Sequence, residues 1–173
     1  FHYGIATGHC ERNPAADLRD ALPPVRVEHR AAITDPARVG ELLRALLACT
    51  GQPTTQAALQ LAALTFQRPG EIRGATWAEF DLAAATWLIP SHRMKRNLQG
   101  KATGPDHVVP LSRQAVAVLR GLQPLTGSGL LVFPGLRDRA RPISDMTMNA
   151  ALRRLGFDGE EMTEHGFRAI ART

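Results

Sequence analysis

Lysine is almost missing from this sequence of 173 residues: among 21 Lys+Arg, only Lys95 and Lys101 are lysines. Aromatic residues reach just 5%, and the single tyrosine is Tyr3. The two cysteines, Cys10 and Cys49, form no disulfide framework and lack metal-ligand spacing. They read as reduced thiols of a cytoplasmic protein. No apolar run approaches the roughly 20 residues that a membrane-spanning helix needs, and the first residues do not resemble a signal peptide. No repeat or low-complexity tract is present. These absences argue against disulfide scaffolds, zinc modules and membrane spans. What is present is a chain 44% hydrophobic, enough for one ordinary core and a short appendage.

The net charge of +5 is unevenly distributed. Residues 1–91 carry 8 Lys+Arg against 9 Asp+Glu, whereas residues 92–173 carry 13 against 7. A basic C-terminal half suits a polyanionic partner, because neutralising phosphates releases counterions and gives sequence-independent affinity. Arginine-rich coding composition accounts for part of the same excess.

Read in order, Phe1 to about Leu22 is a short helical stretch broken at Asn13-Pro14, and Leu22-Pro23-Pro24-Val25 is a linker, since consecutive prolines exclude a helix. Asp35-Pro36 is a helix start, and Val39, Leu42, Leu43, Leu46 and Leu47 recur on one helical face. A second apolar helix begins near Thr54 or Thr55 and delivers Arg68 to its end. Pro69 suits the first position of the next short helix, Glu71 to Trp77. Ala84–Pro90 and His107–Pro110 read as paired strands joined by a loop over Asn97–Asp106. Ser112 caps a helix with Ala115, Val118, Leu119 and Leu122 on one face. Leu130–Phe133 has no secure assignment, and Arg137, Arg139 and Arg141 lie on a polar loop. Ser144 is expected to cap a further helix, with Ile143 and Met148 at the staple positions, and Thr163 the last one. His165 and Arg168 then fall three apart on one face. The expected fold is mainly α with a small antiparallel β-sheet, an α+β class.

Three motifs stand in a fixed order: Arg68-Pro69-Gly70-Glu71, then Arg93-Met94-Lys95 followed by Val109-Pro110-Leu111-Ser112, then His165-Gly166-Phe167-Arg168. The set resembles the catalytic domain of tyrosine recombinases, and its wording is most similar to prophage-type integrases. The resemblance covers nearly the whole chain. It implies a catalytic domain over residues 30–173, incomplete at its C-terminus, preceded by residues 1–29 as the end of a core-binding domain plus linker. The implied function is strand cleavage and rejoining in site-specific DNA recombination, through a 3′-phosphotyrosyl intermediate. The implied partners are double-stranded DNA and other integrase protomers, without membrane, metal or cofactor.

Residue by residue, the resemblance assigns Arg68, Lys95, His165 and Arg168 to catalysis and Glu71 to support. Two arginines grip the non-bridging oxygens of a phosphodiester with planar donors, an interaction that strengthens as charge develops. His165 donates to the same phosphate or shuttles a proton. Lys95 protonates the departing 5′ oxygen, with Lys101 as the second candidate. Arg93, Arg96, Lys101 and His107 are expected DNA contacts. The family's nucleophile is a tyrosine downstream of His-x-x-Arg, a position this chain does not reach, so it is expected to be inactive alone. Two alternatives remain: a remnant that binds DNA or a partner without chemistry, and a type IB topoisomerase-like domain.

Overall fold

The computed structural model describes residues 1–18 and 30–171, which places the expected Leu22–Val25 linker outside the described residues. Helix α1 (His2–Ala6) is followed by a single 3-10 turn at Ala16–Leu18. Helix α2 (Pro36–Ala48) starts as its sequence dictates: the Asp35 carboxylate accepts the Arg38 N–H at 2.9 Å, and Pro36 occupies the first turn. Leu42 and Leu46 enter the core, while Leu43 and Leu47 stay exposed. The apolar stripe is thus wider than the face that the core covers.

Helix α3 (Pro53–Thr65) is apolar on most of its surface, and Ala57, Ala58, Leu59, Leu61 and Ala62 are all buried. Such a helix is a central one. It packs against α2, against the short α4 (Pro69–Arg73), and against α6 (Arg113–Thr126) and α7 (Thr147–Arg154). Ser112 caps α6, its hydroxyl accepting the Ala115 N–H at 3.1 Å. Ala115, Leu119 and Leu122 line the buried side of that helix.

The sheet has three antiparallel strands in the order β1 (Phe80–Asp81), β2 (Thr86–Ile89) and β3 (His107–Pro110). Trp87 stands opposite Phe80 on one side and Val109 on the other, and Ile89 opposite His107. Alternation buries Trp87 and Ile89 and leaves Leu88 outside. The Leu130–Phe133 run pairs by one bridge with Thr76 and places Val132 and Phe133 in the core.

Several local expectations change, among them the helix expected over Glu71 to Trp77, which spans Pro69–Arg73 and leaves Trp77 to open a 3-10 turn. Asn97–Asp106 holds a helix, α5 (Leu98–Thr103), because the Asn97 side chain caps it by accepting the Gly100 N–H at 2.7 Å. Ser144 does not cap α7: the helix starts at Thr147, whose hydroxyl stands 2.9 Å from that of Ser144. Finally, His165 and Arg168 do not share one regular helix. A 3-10 turn at Glu164–Gly166 runs into α8 (Phe167–Ile170). The Thr163 hydroxyl, expected as a cap, bonds the Ala31 carbonyl oxygen. Among the described residues no helix is long and apolar enough to cross a membrane, and no cluster of three or more His, Cys, Asp or Glu could hold a metal ion.

Candidate active site

The site begins where α3 stops. Phe66 adopts a left-handed conformation, φ 55°, and its N–H closes the helix on Ala62 O. The chain then runs extended through Arg68 and re-enters a helix at Pro69. Glu71, three residues on, accepts the Arg68 backbone N–H at 2.9 Å with Oε2 and Arg68 Nη1 at 3.0 Å with Oε1. The glutamate is 3% exposed and the arginine side chain 39%. One edge of the guanidinium is therefore anchored, and donors remain for a ligand.

Arg168 reaches the same corner from the far end of the chain. Its Nη1 donates to the Phe66 carbonyl oxygen at 2.9 Å, two residues ahead of Arg68. The left-handed turn gives that carbonyl its direction. Strain at a residue of this kind is held by its surroundings and is frequent where a site is built.

His165 lies on the 3-10 turn with its side chain 44% exposed. Burial lowers its pKa below the ordinary 6.5, and the charges of Arg30, Lys95 and Arg168 lower it further. Those cations act on one imidazole from three separate segments of chain. Its neighbour Glu164 is buried, with Oε2 lacking a hydrogen-bond partner among the described residues. Burial raises the Glu164 pKa; Arg73 opposes the rise and Asp145 adds to it.

Lys95 is exposed, just past the 3-10 turn Ser91–Arg93. The connection that carries it is braced across itself. Asp106 accepts the Ser91 N–H at 2.8 Å, the Ser91 hydroxyl donates to Lys101 O at 3.0 Å, and Arg96 Nη1 donates to Pro105 O at 2.8 Å. Lys101 sits on α5 and His107 at the start of β3. Arg93, expected to face DNA, turns inward instead. It pairs with the buried Glu79 and donates from Nη2 to the Glu71 carbonyl oxygen at 2.8 Å.

Two participants had no sequence signal. Arg30 belongs to no motif; its segment is fixed by Ala31 O, which accepts the Thr163 N–H and hydroxyl, each at 3.2 Å. Glu79 stands between Ala78 and Phe80, in no motif, and becomes a hub only in the fold. It takes Trp87 Nε1 at 2.9 Å, Thr76 Oγ1 at 3.2 Å and the Arg93 guanidinium.

A family profile described as Phage integrase family matches residues 34–173. The integrase of Enterobacteria phage P4 is 37% identical over 99% of this chain and 40% of its own length. Prophage integrase IntA of Escherichia coli K12 is 32% identical, over 99% of this chain and 39% of that protein. The chain thus spans about two fifths of the length of the curated relatives it matches. Among solved structures, the Tn1549 transposon integrase in complex with a circular intermediate DNA superposes with a TM-score of 0.68 at 14% identity, covering 98% of this chain and 60% of that one. A lambda integrase dimer bound to a COC′ core site gives 0.64 at 23%, covering 99% and 58%.

Proposed function

Since the chain belongs to the phage integrase family and has the fold of a tyrosine recombinase catalytic domain, we propose that it supplies the phosphate-binding part of a site-specific DNA recombinase. Residues 30–173 form the catalytic domain in this reading, and residues 1–29 the end of a core-binding domain with its linker. Duplex DNA and further integrase protomers are the partners. The observation that supports it most is the corner at Phe66. Arg168 bonds the Phe66 carbonyl, two residues ahead of Arg68, and the charges of Lys95 and Arg168 both act on His165.

In the reaction, a tyrosine hydroxyl gives up its proton to solvent and attacks the phosphorus, the bond from phosphorus to the 5′ oxygen breaks, and a 3′-phosphotyrosyl link forms. Arg68 and Arg168 bind the two non-bridging oxygens, whose charge grows in the transition state. His165, whose pKa burial and nearby cations lower in the free chain, hydrogen-bonds the same phosphate. Lys95 gives a proton to the departing 5′ oxygen. Glu71 orients Arg68. Tyr3, an exposed residue of α1, is not assigned the nucleophile's role.

The test is incubation of the chain with a nicked suicide-substrate DNA, alone and with a tyrosine-bearing C-terminal segment, followed by a denaturing gel. A covalent band is expected only with the segment. Arg68→Ala or Arg168→Ala should weaken it by roughly 100-fold or more, the usual cost of removing one transition-state donor. A band from the chain alone that disappears in Tyr3→Phe would overturn the assignment.

A further inference from the structure

We propose that Arg93 is a positioning residue for Lys95, fastening the connection that carries the lysine to α4, the helix that begins directly after Arg68. The proposal rests on the reading of Lys95 as the acid. The ties within residues 91–106 brace that connection only against itself. Among the described residues, the polar ties from it to the helical body all come from one guanidinium. Arg93 Nη1 pairs with Glu79, and Nη2 donates to the Glu71 carbonyl oxygen. Arg93 is 16% exposed and Glu79 6%, so the pair is shielded from solvent and has one geometry. The carboxylate is itself held by Trp87 Nε1 of β2 and by Thr76 Oγ1. One planar group thereby joins the sheet, α4 and the approach to Lys95, which follows two residues later. A lysine at 93 would put a single ammonium where two acceptors need a fork.

Gly74 is part of the same device. A Cβ added there would stand 2.9 Å from Arg93 Nη2 and 3.3 Å from the Gly70 carbonyl oxygen. The backbone at the end of α4 leaves room for the guanidinium because residue 74 has no side chain. The partly buried Met94 adds an apolar contact beside this tie.

The first experiment needs no cleavage. The His165 imidazole is titrated by NMR in the wild-type chain, Lys95→Met, Arg93→Met, and the two combined. Lys95→Met is expected to raise the His165 pKa by removing a charge that lowers it. Arg93→Met should raise it in the wild-type background and add little in the Lys95→Met background, because the lysine has already been released. Equal shifts in both backgrounds, or none in either, would overturn the proposal. Arg93→Met alone leaves Glu79 buried without its cation and risks unfolding. Arg93→Met with Glu79→Gln removes both charges, and Gly74→Ala displaces the guanidinium while keeping them. Both are expected to reproduce the shift, with amide changes confined to residues 91–106 and the immediate surroundings of the substituted positions. A wild-type titration curve in Gly74→Ala would count against the mechanism.

The second experiment uses the chain with a tyrosine-bearing segment supplied. The DNA carries sulfur in place of the 5′ oxygen at the scissile bond, a leaving group that needs no proton. Arg93→Met/Glu79→Gln and Lys95→Met should both lose about tenfold or more on the ordinary phosphodiester. Both should recover on the sulfur substrate, whereas Arg68→Ala should not. If Lys95→Met fails to recover, the acid assignment falls while the NMR result for Arg93 stands. If only the Arg93 variant fails to recover, the positioning role falls.

Discussion

His165 is held back from protonation mainly by burial, with Arg30, Lys95 and Arg168 adding to the effect. The folded pKa lies below the ordinary 6.5, so the fold binds fewer protons than the unfolded chain just below that value. Stability from this residue is full above 6.5 and declines as pH falls through the window down to the folded pKa. A phosphate beside the ring reverses the balance, because an anion favours the imidazolium. Phosphate binding should therefore take up protons, and affinity for short duplex DNA should rise as pH falls from about 8 to about 5.5. His165→Asn should flatten that profile in a fluorescence-anisotropy titration; an unchanged slope would remove His165 from the ligand. At this scale, the support of Arg68 by Glu71 was legible from the ordered motif, and a spacing of three at a helix start lets the two side chains meet. Arg30 and Glu79 were not. Their partners lie far along the chain, and no spacing encodes them.

Helices α2 and α6 were legible from side-chain caps that fix the first turn locally, whereas α3 was legible from its apolar run, and its opening Pro53 was not read as its start. The missed helix α5 and the late start of α7 depended on a cap read as loop and a serine read as cap. The turn at residues 164–166 was misread because tertiary contact overrides its helical spacing. Gly166 lies against the backbone of Ala31 and Ala32: an added Cβ would stand 2.8 Å from Ala31 O, 3.1 Å from Ala32 Cα and 2.7 Å from Met162 Sδ. Two of those atoms are backbone and cannot step aside. Gly166→Ala should destabilise by about 1–3 kcal/mol, the usual cost of overpacking. It should also shift the His165 resonance by moving Arg30 away. Urea denaturation and one NMR spectrum check both; a fold of wild-type stability would show the approach to be looser than described.

Across the whole molecule, the positive charge belongs to residues 92–173. Duplex DNA binding is expected to be weak, without sequence preference, and steeply dependent on salt, with a log–log slope of several units if several phosphates are neutralised. Salt-insensitive or strongly site-selective binding in a titration would contradict that expectation. The general architecture was legible from ordered motifs and periodicity; the way distant segments close on one corner was not, since closure is a property of the assembled core. That closure has a consequence for synthesis. Arg168 bonds Phe66 across 102 residues, and Thr163 bonds Ala31 across 132. Contacts of such long range form late, after the local helices. On a ribosome, Arg68 emerges long before the arginine that completes its grip, and Lys95 before the histidine that feels its charge. A nascent chain therefore carries each half of the proposed phosphate clamp separately. The two arginines come together only when the His-x-x-Arg turn has left the exit tunnel and docked, so on the proposed reading the phosphate site is assembled after most of these residues have been made.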